Sequence, residues 1–89
     1  MIKILESLEE SRKYDNIVVI TENNEKLKIR MLEDNYTCRV YGLNTAGKSL
    51  ITQMRLDGGM EPSDYYETTV QEIDEWISEG TVTILRKGL

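Results

Sequence analysis

Residues 41–56 read YGLNTAGKSLITQMRL, and the fold of the chain turns on how they are understood. From Gly42 to Ser49 the letters match G-x-x-x-x-G-K-[ST], the signature of a loop whose backbone amides cradle phosphates. A working loop of that kind needs a buried parallel strand leading in and a helix opening at the Lys-Ser pair. It also needs a second strand that brings an acid toward magnesium. The lead-in here, TCRVYG (37–42), alternates with Arg39 on one side, unlike a strand buried on both faces. The segment SLITQMRL (49–56) is ambiguous: as a strand it puts Leu50, Thr52, Met54 and Leu56 on one face, as a helix it gives a ragged stripe. About forty residues follow the motif, too few for the crossovers of a parallel sheet. The preferred reading is a hairpin, with Asn44 to Gly47 as its loop and Gly47 at a positive φ. Val40 then faces Leu50, Cys38 faces Thr52 and Tyr36 faces Met54.

Upstream, KLKIRML (26–32) and YTCRVYG (36–42) both alternate cleanly. Leu27, Ile29 and Met31 point one way with Tyr36, Cys38 and Val40; Lys26, Lys28 and Arg30 point the other with Arg39 and Tyr41. Asp34-Asn35 forms a two-residue loop whose members both tolerate the left-handed conformation. That loop sets Met31 opposite Cys38, Ile29 opposite Val40 and Arg30 opposite Arg39, so apolar meets apolar and basic meets basic. NIVVIT (16–21) is a β-branched run and reads as a buried strand.

Two helices flank these strands. Residues 2–13 place Ile2, Leu5 and Leu8 at helical spacing. The second helix opens on a capping box, Thr69-x-x-Glu72, buries Val70, Ile73 and Ile77, and ends at Gly80. TVTILRK (81–87) closes the chain as a strand, and residues 60–67 read as a loop around Pro62. The predicted fold is a single α+β domain over 1–89. It is a mostly antiparallel four- to five-stranded meander with N- and C-terminal helices on one face, in the order α-β-β-β-β-α-β.

The 89 residues bound what this domain can be. A chain of that size buries only about 60–65% of its unfolded surface, enough for one core. The single cysteine excludes an internal disulfide and fits a reducing, cytoplasmic setting. Histidine is absent, which removes the commonest zinc sites and His-based acid–base catalysis. Cys38 points inward with Val40, as packing rather than a nucleophile. No secretory signal or membrane span is legible, and no metal or cofactor pattern stands out. The net charge of −5 argues against broad attraction to nucleic acid or lipid.

Two surfaces could carry function. The acidic one gathers Glu61, Asp64 and Glu67 with Tyr65 and Tyr66, then Glu72 and Glu75 on the second helix. Carboxylates on such a surface can stand in for phosphates on a partner built to hold nucleic acid. The basic sheet face gathers Lys26, Lys28, Arg30, Arg39, Tyr41 and Arg55, which could hold a nucleotide or single-stranded nucleic acid. In size, charge and layout, though in no motif, the chain resembles the small acidic proteins of phages and mobile elements that block host nucleic-acid-binding machinery. Anti-CRISPR inhibitors are among them. The resemblance implies a cytoplasmic, non-catalytic inhibitor that docks on a protein partner, such as a nucleic-acid-handling complex, and it transfers no residue. An exposed edge strand at 81–87 or 16–21 could also pair with a second copy.

Overall fold

The computed structural model describes residues 14–86; the helix expected over 2–13 lies outside them. Seven elements follow in order: β1 (Ile17–Thr21), β2 (Lys26–Met31), β3 (Thr37–Gly42), α1 (Thr45–Asp57), β4 (Tyr65–Thr69), α2 (Val70–Ser78) and β5 (Val82–Arg86). The strands form one antiparallel sheet in the order β4-β3-β2-β1-β5. The α+β class and antiparallel sheet are as expected. The uninterrupted four-strand meander is not, because a helix separates β3 from β4.

The segment 49–56 is helix, not strand, and the hairpin loop expected at Asn44 to Gly47 does not exist. Asn44 is instead the N-cap of α1, with extended backbone and a side-chain oxygen that accepts from Gly47 N–H (2.7 Å). The buried face of α1 runs through Gly47, Leu50, Ile51 and Met54, spaced three, four and seven apart. Its first member is a glycine, which contributes no apolar signal, and Leu56 is 50% exposed. The alternation Leu50, Thr52, Met54, Leu56 was therefore a coincidence of composition.

Glycine is required at the head of that face. A Cβ on Gly47 would lie 2.2 Å from Lys26 O, and one on Gly42 would lie 2.3 Å from Lys48 N. The first turn of α1 thus sits directly on the ends of β2 and β3. Asn44 ties the junction together: its side chain also accepts from Lys26 N–H (3.1 Å) and donates to Asn24 O (2.8 Å).

The β2–β3 register is as expected, with Met31 opposite Cys38, Ile29 opposite Val40, Arg30 opposite Arg39 and Lys28 opposite Tyr41. The connection differs. Asn35 alone takes a positive φ (59°), after a turn closed by Asn35 N–H to Leu32 O (3.1 Å). The Asp34 carboxylate accepts from the Thr37 hydroxyl and from the Thr37 and Tyr36 amides, which holds its pKa below the ordinary value. Tyr36 consequently leaves the strand and stands 54% exposed instead of joining the core.

The residues of the expected 60–67 loop include the start of β4. Tyr65 to Thr69 pair with β3, setting Val40 opposite Tyr66 and Tyr41 opposite Tyr65. Thr69 then caps α2 by accepting from Glu72 N–H (3.2 Å), and Gly80 turns the chain at φ 78°. Between them α2 carries the chain from one edge of the sheet to the other. The core lies between sheet and helices: Ile17, Val19, Leu27, Ile29, Cys38 and Val40 meet Ile51 of α1 and Ile73 of α2. Because β1 sits between β2 and β5, segment 16–21 is not an edge strand; β4 and β5 are the edges.

Candidate functional site

Three separated segments wall an open cleft of about 510 Å³. The turn between β1 and β2 forms one wall, α1 the second, and α2 with its exit turn the third. Leu27, Leu50, Met54, Trp76 and Val82 give it an apolar floor and side. Glu22, Glu25, Glu72 and Glu79 line it as well, and among the described residues no lysine or arginine does. The volume falls within the range of ligand sites.

Local structure explains how the carboxylates arrive. Asn24 takes a positive φ (66°) and lets the chain reverse within the β1–β2 turn. There Thr21 Oγ1 donates to Glu25 Oε1 (2.6 Å), which holds that side chain beside the cleft. Glu72 of α2 and Glu79, its C-cap, lie seven residues apart and so share a face, with Trp76 between them. Glu22 and Glu79 are exposed, whereas Glu25 and Glu72 are half-buried.

The seven acidic-surface residues expected from the sequence do not converge. Glu72 lines the cleft, but Glu75 does not. Tyr66 turns inward and packs on the core. Tyr65 and Glu67 point to the opposite face of the sheet, by the alternation of β4. Glu61 and Asp64 are exposed in the connection before β4, where Arg55 Nε donates to Glu61 O (2.7 Å). Glu22, Glu25 and Glu79 were not singled out as site residues. Their joint position depends on the turn, the helix and the sheet edge meeting in space, and nothing in their local spacing announces it.

The sheet face away from the helices has its own character. Lys26, Lys28, Arg30, Arg39 and Tyr41 lie on it as expected. Arg55 does not: it belongs to α1 and reaches the sheet at the β4 edge, donating from Nη1 to Tyr65 O (3.1 Å). Tyr65 adds a second aromatic, with its ring centroid 5.8 Å from that of Tyr41 at a 50° tilt. Arg39 lays its guanidinium 4.6 Å from the Tyr65 centroid, within cation–π range.

The Gly42–Ser49 spelling builds no phosphate cradle. Only Leu43 and Asn44 separate β3 from α1, so there is no loop to wrap a phosphate. The Gly47 amide is bonded to Asn44 Oδ1 and the Lys48 amide to Asn44 O (2.9 Å). The lead-in strand is flanked on both sides by antiparallel neighbours. The two glycines serve close packing instead.

Among the described residues no group of three or more Cys, Asp and Glu could hold a metal ion, and no helix is long and apolar enough to cross a membrane. Cys38 is fully buried, and burial, with the charges of Asp34, Asp15 and Asp74 adding to it, pushes its thiol up to about 11. Thiolate is the reactive form, so native Cys38 should resist thiol reagents at pH 8 and react at the free-cysteine rate once denaturant unfolds the chain. Rapid labelling of the native protein at pH 8 would contradict this placement.

Compared with known proteins, the chain matches no family model, no curated protein and no solved structure.

Proposed function

We propose that the protein is a non-catalytic binding protein that docks its acid-rimmed cleft onto a basic, partly apolar surface of a larger macromolecule. The observation that supports this best is the cleft itself: four glutamates beside an apolar floor and an indole, with no cation among the described lining residues. Apolar burial would supply affinity, while the carboxylates would select a cationic partner and speed encounter. Surfaces that hold nucleic acid have this basic character, so the reading includes inhibition of nucleic-acid-handling machinery by carboxylates that replace phosphates.

Trp76 is the sole tryptophan and lines the cleft, so its fluorescence reports occupancy directly. Titration with an amphipathic Lys/Leu peptide should shift the Trp76 emission, whereas the matched Glu/Leu peptide should not. The double substitution Glu22→Gln, Glu79→Gln at exposed positions should weaken that binding by roughly five- to tenfold, and added salt should do the same. No spectral change with the basic peptide, or equal binding of the acidic one, would remove the cleft from consideration.

A further inference from the structure

We infer that the sheet face opposite the helices is a binding site for single-stranded nucleic acid, independent of the cleft and of whatever docks there. The register places Lys26, Lys28 and Arg30 of β2, Arg39 of β3 and Arg86 of β5 on this face. Glu67 of β4, opposite Arg39, is the single carboxylate among the strand residues that share it. A chain with 16 acidic and 11 basic residues has thus segregated five cations onto one surface.

Edge protection could account for Arg86 on β5 but not for the four cations of β2 and β3. Lysines on sheets commonly blunt exposed edges, but β2 is the central strand and the edges are β4 and β5. Arg30 and Arg39 stand directly opposite each other, an arrangement that costs stability unless water or an anion lies between them. Arg39 lays its guanidinium over Tyr65, and its Nε is shielded from solvent without a hydrogen-bond acceptor. Lys26 and Arg30 are exposed and Lys28 is half-buried, so the β2 cations remain available to anions from outside the chain.

The tyrosines decide which polyanion. Tyr41 and Tyr65 are half-buried neighbours on adjacent strands, and Lys28 stands opposite Tyr41 in the register. Aromatic rings set among cations on an open sheet stack bases while the cations follow the phosphates. Unstacked bases are required for that contact, which selects single strands over duplex. Both described helices pack on the other face, through Ile51 and Ile73.

The test is fluorescence anisotropy of a labelled oligothymidylate at low salt, with the same sequence as duplex and a polyglutamate peptide as competitors. The single strand should bind, with both competitors much weaker. Tyr41→Leu should lose roughly tenfold or more in affinity. Lys26→Gln with Arg30→Gln, both exposed and so safe for folding, should reduce the salt slope by roughly 0.7 for each lost phosphate contact. Glu79→Gln, on the cleft, should leave binding unchanged. Absence of binding at low salt would overturn the inference. So would competition by polyglutamate as strong as by the oligonucleotide, or affinity and salt slope unaltered in the Lys26, Arg30 double variant.

Discussion

Gly47→Ala should destabilise the protein by about 3 kcal/mol, although alanine is the better helix former by about 1 kcal/mol. The added Cβ would stand 2.2 Å from Lys26 O and 3.0 Å from Asn44 Oδ1. Neither atom can yield freely. Lys26 O accepts from Leu43 N–H (2.8 Å), and Asn44 Oδ1 accepts from both Gly47 and Lys26. The first turn of α1 must lift off β2, losing its cap as well as its packing. For a domain of this size that loss lowers the melting temperature by roughly 12–24 °C. Urea unfolding is the cleaner measurement: the midpoint should fall at unchanged slope. Ser49→Ala, at an exposed position of the same helix, should stay within about 0.5 kcal/mol of the parent. If Gly47→Ala raised stability instead, the helix would not be seated on the sheet.

Ile73→Ala should cost about 3–4 kcal/mol, a large part of the roughly 4–13 kcal/mol that a chain of this length commands. Ile73 is fully buried and is the only residue of α2 in that class. Its neighbours on the same face, Val70, Trp76 and Ile77, are only partly buried. Two further links depend on α2 lying flat: the Tyr14 hydroxyl donates to the Asp74 carboxylate, and Thr81 N–H bonds Trp76 O (2.9 Å) at the helix exit. Ile73→Val should lose only about 1 kcal/mol, because most of the volume remains. Ile77→Ala should fall between the two. Chemical denaturation followed by far-ultraviolet dichroism ranks all three, and a larger loss at Ile77 than at Ile73 would mean that α2 presents another face to the sheet.

Much of the sheet was legible from side-chain alternation. Lys26 to Met31 and Thr37 to Gly42 each carry a strict period of two, and a one-residue slip would bury cations, so their register was determined without a tertiary partner. The turn between them was not legible: Asp34 and Asn35 both tolerate left-handed backbone, and hydrogen bonding gave that conformation to Asn35 alone. Thr69 and Gly80 marked the ends of α2 because caps are local chemistry.

The region 41–69 was decided in space. Composition alone allows residues 49–56 to alternate or to coil; what selects the helix is the contact of Gly47 with the end of β2 and the threefold use of the Asn44 side chain. Once that helix forms, β3 lacks the expected hairpin partner, and Tyr65 to Thr69 take its place. Their β-prone Tyr and Thr residues were a signal, but one set in a polar, proline-containing stretch. The cleft follows in turn, since Glu22, Leu50 and Glu79 meet only after α1 and α2 have both settled on the sheet. Alternation and caps act between near neighbours in sequence and can be read there. A glycine chosen for close approach, and glutamates brought together from three segments, take their meaning from residues far along the chain.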